Sequence, residues 1–357
     1  MVSILITVTL LLGGGISEGD SGRLRQAGFA EFQLGHYLKA EEFIRKAVDA
    51  AETTNDAYEA ALGYSLLGEI QHAERQFAQA EQNYRKAISL LGPHAERTHQ
   101  AAMAWADLAA TLISEARYDD ALAAAKEASK LAAKDKADDP RLDVQILNSF
   151  GVIYYRQKKM EKAASSLVQA AAVPFTRSHP LDVDPWQILN NLARVYQSTR
   201  QYDKAGNAYR RSLQLAEVRV GGTHPALSVV LVNLGSMYAA AGRYPEAEAA
   251  FQKSLTILEH SKRSFDSILL MRTLSGLGRT YLQKNDLIHA RDTLSRATEI
   301  ARRRVLAAEM PEVLEILDTY AKVLEGVSNF GEAQLLETEA QRIRASLTYT
   351  VNATNAK

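Results

Sequence analysis

Apolar and polar positions follow a helical period along this chain, and the helical segments themselves recur. In residues 225–259, Leu227, Val230, Leu231, Leu234 and Tyr238 fall three and four apart, the spacing of one face of an α-helix. Ala239-Ala240-Ala241-Gly242-Arg243 ends that helix, with Gly242 where a left-handed backbone is cheapest for a residue lacking Cβ. Tyr244 opens a second periodic run through Ala247, Phe251, Ser254, Leu255 and Leu258. Pro245 sits in its first turn, where a missing amide proton costs little. The pattern predicts helix A, a tight turn and helix B.

That unit recurs along the whole chain. A small residue stands just inside each helix B, at Ala40, Ala80, Ala121, Ala163, Ala205, Ala247, Ala290 and Ala333, with spacings of 40, 41, 42, 42, 42, 43 and 43. Eight units in register predict a stacked array rather than one globular core. Helix A has its own small residue, Gly28, Gly68, Gly151, Gly235 or Gly278, with Ala109, Ala193 and Ala321 in the third, fifth and eighth units. Gly235 and Ala247 predict a close approach of the two helices, with Tyr238 and Phe251 filling the space on either side. The helix-A aromatic is Tyr154, Tyr196, Tyr238 and Tyr281 in the middle units and becomes Glu31, Gln71, Leu112 and Leu324 outside them. By this criterion the middle units pack best and the ends fray.

Composition narrows the function. Lys+Arg and Asp+Glu are both 42, so the basic surplus that would neutralise phosphates is absent, and neither nucleic acid nor an anionic membrane surface is an expected partner. With no cysteine there is no disulfide framework, thiolate metal site or cysteine nucleophile, a composition compatible with an oxidising compartment. The eight histidines are scattered without metal-ligand spacing, and His179-Pro180 and His224-Pro225 read as turn elements before helix A. Gly13-Gly14-Gly15 lacks the Lys-Ser/Thr of a phosphate loop, and no nucleophile elbow appears. No cofactor, metal or enzymatic activity is expected.

Met1–Ile16 carries no charge before Glu18, and its apolar run is too short to span a bilayer comfortably. It matches the apolar region of a secretory signal, followed by Gly13, Gly14, Gly15, Ser17 and Gly19, although no Lys or Arg precedes it and no Ala-x-Ala site follows. Residues 1–20 are therefore expected to be a leader directing export to the periplasm or the exterior. An uncleaved anchor, a misassigned start and an apolar cap on the first unit stay open, as does a cytoplasmic location. The array is expected over 21–347, and 348–357 as a disordered polar tail.

The motifs Leu234-Gly235-x-x-Tyr238 with Ala247-x-x-x-Phe251, and Leu277-Gly278-x-x-Tyr281 with Ala290-x-x-x-Leu294-x-x-Ala297, resemble the tetratricopeptide repeat family. The usual period is about 34, so roughly eight extra residues lengthen each helix by about one turn. Leu189-Asn190-Asn191-Leu192-Ala193 and the loop Thr223-His224-Pro225 resemble the kinesin-light-chain type of the repeat. The resemblance implies an all-α, right-handed α-solenoid of eight helix-turn-helix repeats. It also implies that helix A lines a concave groove for extended peptides or partner helices.

Helix-A residues not needed for packing are the candidates for that groove: Asn148 and Tyr155; Asn190, Asn191 and Arg194; Asn233; Arg272 and Arg279. Asparagine amides pair with a peptide backbone, and Asn191 and Asn233 occupy equivalent places one repeat apart. The arginines could hold acidic side chains or a terminal carboxylate by forked bonds. The competing reading is a solvated helix face. In family members that clamp a terminal carboxylate, Asn233 and Arg272 would have counterparts, but Asn190 and Gly276 replace basic positions, so chaperone-tail binding is not expected. The sequence thus points to a non-catalytic scaffold for a protein or peptide partner. The alternative is a self-assembling or spacer component of an envelope complex.

Overall fold

A computed structural model describes residues 19–92, 97–135, 139–174, 183–261, 267–303 and 310–355. The described residues form eight consecutive helical hairpins: α1 (Asp20–Gln33) with α2 (Tyr37–Thr53), α3 (Ala57–Ala73) with α4 (Phe77–Leu91), α5 (Thr98–Ser114) with α6 (Tyr118–Ala132), and α7 (Pro140–Arg156) with α8 (Met160–Ala172). There follow α9 (Pro185–Ser198) with α10 (Tyr202–Val220), α11 (Ala226–Ala240) with α12 (Tyr244–His260), α13 (Ser267–Gln283) with α14 (Leu287–Arg303), and α15 (Met310–Gly326) with α16 (Phe330–Asn355). The architecture is an all-α solenoid. It divides after Asp184 into two compact units, α1–α8 and α9–α16. Residues 1–18 of the expected leader and the His179-Pro180 loop lie outside the described residues. Where a disordered tail was expected from residue 348, α16 continues as helix to Asn355, so the expected boundary after 347 is not a break in the backbone.

The turn between helices A and B is built the same way eight times. Gly35, Arg75, Ala116, Lys158, Arg200, Gly242, Asn285 and Ser328 all have positive φ, between 58° and 78°. The next residue's amide then reaches back five residues, as in Arg243 N–H to the Tyr238 carbonyl at 2.8 Å and Lys159 N–H to the Tyr154 carbonyl at 2.8 Å. This closure satisfies carbonyls that the end of helix A leaves without partners. Glycine was expected to supply the left-handed residue at Gly242 and does so. Six other turns hold a side chain there, where an L-residue pays a steric penalty.

The eight helix-B alanines are buried, seven of them completely and Ala333 at 3% exposure. The helix-A glycines make room for the large residue one turn beyond each of these alanines. A Cβ at Gly28 would meet Ile44 at 2.4 Å, one at Gly68 would meet Tyr84 at 2.8 Å, and one at Gly151 would meet Leu167 at 2.4 Å. A Cβ at Gly235 would meet the Phe251 ring at 2.9 Å, so the ring fills the space beside this glycine, as its spacing predicted. In the third hairpin the exchange is reciprocal: Ala109 replaces glycine where Ala125 replaces the large residue, and both are buried.

Packing does not grade from the middle to the ends as the tyrosine count suggested. The second unit has one contiguous cluster running from Trp186 through Phe251 and Leu294 to Leu324, Leu336 and Ala340. The first unit has several smaller clusters, one around Phe32, Ile44 and Ile70 and another around Tyr84, Leu108 and Ile153. Leu324, in the place of the helix-A tyrosine, is completely buried.

Candidate partner-binding face

Within each unit, successive A helices touch: α1 with α3, α3 with α5 and α5 with α7 in the first, α9 with α11, α11 with α13 and α13 with α15 in the second. Successive B helices reach each other through long side chains instead, as Lys253 to Glu217 at 2.6 Å and Arg302 to Glu339 at 2.7 Å. The A side is therefore the closely spaced side of each unit, as the family resemblance implied.

In the second unit, one asparagine pair is turned inward. Asn233 Nδ2 donates to Asn190 Oδ1 at 3.0 Å, and Asn190 is only 6% exposed. Asn190 is thus committed to the fold, while Asn191, Arg194 and Asn233 are half-buried on the same face. The bond runs diagonally from Asn233 to Asn190, not between the equivalent pair Asn191 and Asn233. Arg272 already holds a carboxylate by a forked pair, Nε to Glu312 Oε2 at 2.8 Å and Nη2 to Oε1 at 2.6 Å. Arg279 pairs with Glu315. Both glutamates come from α15. Exposed pairs of this kind are worth about 0–1 kcal/mol, so a ligand carboxylate could displace them but would gain little by exchanging one anion for another. Gly276, where a clamp would need a basic side chain, has the Phe251 ring 2.4 Å from any added Cβ, so packing works against a side chain there.

In the first unit, Asn148 and Tyr155 lie half-buried on α7. The sharper feature is a concave pocket of about 240 Å³ between the first three A helices. Arg25, Gln26 and Phe29 of α1 line it, with Leu62, Ser65, Leu66 and Glu69 of α3 and Gln100, Met103, Ala104 and Asp107 of α5. Counted from the small residue of each helix (Gly28, Gly68, Ala109), most of these hold the register positions that Asn190, Asn191 and Arg194 hold relative to Ala193. The face read in the middle repeats therefore closes a pocket in the first three. Extending the same register backward was the signal that would have found it.

Charge in and around the pocket is asymmetric. Arg25 is held by Glu59, Nε to Oε2 at 2.9 Å and Nη2 to Oε1 at 3.2 Å. Gln145 Nε2 donates to Asp107 Oδ1 at 2.6 Å from the adjacent α7. Behind the lining lies Tyr84, wholly buried, whose hydroxyl pKa is raised well above its ordinary value by burial first and then by the charges of Asp107 and Glu69. His72, on the same helix as Glu69, bonds to Thr111 Oγ1 at 2.9 Å, and burial lowers its pKa.

Models of the tetratricopeptide repeat match residues 187–260 and 61–90. No curated protein matches the chain. Among solved structures, BtubC (BKLC) from P. vanneervenii is 24% identical over 64% of this chain and 91% of its own, with a TM-score of 0.54. A STAND-type signal transduction ATPase from Pyrococcus horikoshii with a tetratricopeptide repeat sensor is 12% identical, with a TM-score of 0.65. The match covers 94% of this chain and 49% of that one. Nearly identical kinesin-light-chain TPR-like repeats from Podosopora anserina are 20% identical over 59% of this chain and 98% of theirs, with a TM-score of 0.47. At these identities the likeness is one of fold.

Proposed function

Because this chain is a tetratricopeptide-repeat protein of the long, kinesin-light-chain-like kind, we propose that it is a non-catalytic scaffold that takes an extended partner segment along its A-helix face. Repeats of this family generally mediate contacts between proteins. The observation that carries the finer reading is the pocket on α1, α3 and α5, whose lining combines core residues such as Leu66 and Ala104 with polar side chains of the A-helix face. Mixed polar and apolar lining on a rigid helical frame suits a side chain and its flanking backbone. Affinity capture tests it with three baits: the native chain, a variant altered on the A face (Met103→Trp, Asn191→Ala, Arg194→Ala) and a variant altered on the B face (Lys253→Ala, Arg302→Ala). Partners retained by the B-face variant and lost by the A-face variant support the groove; partners lost equally from both refute it.

A second reading, end-to-end self-assembly, rests on Phe330. It is 65% exposed, whereas its counterparts Tyr118, Tyr202, Tyr244 and Leu287 are half-buried. Gly326 packs close to Leu287, so a following helix can cover this position. An exposed apolar side chain meeting a different surface of a second copy gives an open, heterologous assembly. Mass that grows with concentration in light scattering, and is abolished by Phe330→Glu, supports it; a constant monomer mass removes it. Export through the apolar run Met1–Ile16 belongs to the same proposal. N-terminal sequencing of the mature protein from separated cell fractions decides it.

A further inference from the structure

Cations recur at the turns between helices A and B, and at four of these turns the fold answers them. Lys39 pairs with Glu31, Arg117 with Glu81 and Asp120, Arg243 with Glu246, and Lys284 with Glu248. The turn between α7 and α8 is built differently. Arg156, Lys158, Lys159 and Lys162 all stand exposed there, and among the described residues none of the four pairs with a carboxylate. The nearest acids are Glu161, exposed in the same turn, and Asp119 of α6, which accepts from Gln157 Nε2 at 2.9 Å. Glu115 and Asp120 of the adjoining turn are held by Arg117. Four cations beside two carboxylates leave this tip positive on a chain whose net charge is zero. We infer that the α7–α8 tip is a docking surface for an acidic segment of a partner protein, a run of Asp and Glu side chains. It is separate from the A-face groove and does not rest on it.

Three of the four cations are positioned without being discharged. Arg156 Cζ lies 5.9 Å from the centroid of the Tyr118 ring, and Lys162 Nζ lies 5.8 Å from that of Tyr154. Tyr154 is itself stacked on Phe150, with ring centroids 6.0 Å apart. Lys159 Nζ donates to the Gln157 amide oxygen at 2.9 Å, and Gln157 in turn donates to Asp119. A ring face or an amide oxygen steadies a cation and leaves its unit charge in place. Side chains already held lose less freedom when a ligand arrives, and ammonium and guanidinium groups both suit carboxylates. An acidic peptide fits better than the other polyanions. Stable attachment to a membrane needs an apolar insertion beside the charge, and the apolar residue of this turn, Met160, is half-buried. A nucleic acid needs a basic stripe along its phosphates, whereas the adjoining turn carries Glu115, Asp119 and Asp120.

The test measures the full chain by fluorescence anisotropy against a fluorescein-labelled decapeptide of alternating Asp and Glu, with the matching Asn and Gln decapeptide as control. The acidic peptide should bind at low ionic strength and weaken several-fold as salt is raised, because exposed charges are screened. Lys158→Gln, Lys159→Gln and Lys162→Gln together should weaken it about tenfold, the sum of three exposed pairs. Lys39→Gln, Arg243→Gln and Lys284→Gln together make the same change in net charge at turns whose cations are already paired, and should bind within about twofold of the native chain. The A-face variant (Met103→Trp, Asn191→Ala, Arg194→Ala) should also bind as the native chain does, so a failed groove leaves this surface standing. Equal loss in both triple variants shows a response to net charge alone and overturns the inference. So does loss in the A-face variant, equal binding of the amide peptide, or no binding of the acidic one. Sedimentation with vesicles of phosphatidylcholine and phosphatidylserine that the three lysine changes abolish, without peptide binding, overturns it in favour of a membrane.

Discussion

Phe251 is the residue against which the packing logic of the repeat can be tested most sharply. Its ring is buried at 1% exposure and stands between two glycines, Gly235 of its own hairpin and Gly276 of the next. A Cβ added at Gly276 would sit 2.4 Å from Cζ and 2.5 Å from Cε1. Gly276 lies within α13, where alanine is intrinsically favoured over glycine by about 1 kcal/mol. Overpacking of a filled core costs about 1–3 kcal/mol. The clash should win, so Gly276→Ala is expected to destabilise by roughly 0–2 kcal/mol. Phe251→Ala alone costs about 3–5 kcal/mol through lost burial and a cavity. In that background the ring atoms are gone and only the propensity gain remains, so Gly276→Ala should stabilise by about 0.5–1 kcal/mol. The sign of one substitution therefore reverses with its neighbour, a coupling of about 1–3 kcal/mol. Repeat arrays need not unfold in one step, so native-state exchange of the α12 and α13 amides is the assay, with denaturant midpoints beside it. Gly276→Ala acting with the same sign and size in both backgrounds would refute the argument that the ring dictates glycine there.

Four further outcomes follow from the same structure. Ala247→Arg should be severely destabilising in thermal unfolding, because it forces a charge into a completely buried helix contact; an unchanged melt would show the register to be wrong. Asn233→Ala should cost about 1–3 kcal/mol by leaving the buried Asn190 amide oxygen unmatched, whereas Asn190→Leu with Asn233→Leu should cost less than the single change. Lys158→Gly and Arg200→Gly should each raise the melting temperature by relieving a left-handed side-chain residue, a gain of up to about 1 kcal/mol once the glycine entropy cost is subtracted. Alkaline stability should fall above pH 10: burial and the Glu52 hydrogen bond push the Tyr64 phenol up to about 12, and burial raises Tyr84 well above its ordinary value. The native state therefore holds these protons more tightly than the unfolded chain. Their contribution is complete below about pH 10 and is lost as pH rises through the folded values, so Tyr84→Phe should flatten the decline in a pH series of melts.

The fold was legible because it is written in small residues at fixed spacing, and those spacings are local. Ala40 through Ala333 locate every helix B, and the left-handed turn residues fall at the same intervals, five residues before each alanine. What could not be read is what each large side chain faces. Phe251 was expected beside Gly235, but that its ring also reaches Gly276 of the next hairpin could not be read from one repeat. The tyrosine count failed as a measure of packing for a similar reason: Leu324 fills the same place without a hydroxyl to satisfy. Which atoms meet depends on rotamers and on the neighbouring hairpin, neither of which is encoded within one repeat.

The candidate face shows the same division between register and occupancy, and it decides which chemistry the scaffold offers. Arg272 and Arg279 lie on α13, and α15 supplies Glu312 and Glu315 beside them, so their charge is answered before any partner arrives. In the first unit Arg25 is likewise answered, by Glu59, and Asp107 accepts from Gln145 of α7. An arginine on a groove identifies a ligand only when its own fold leaves it unanswered.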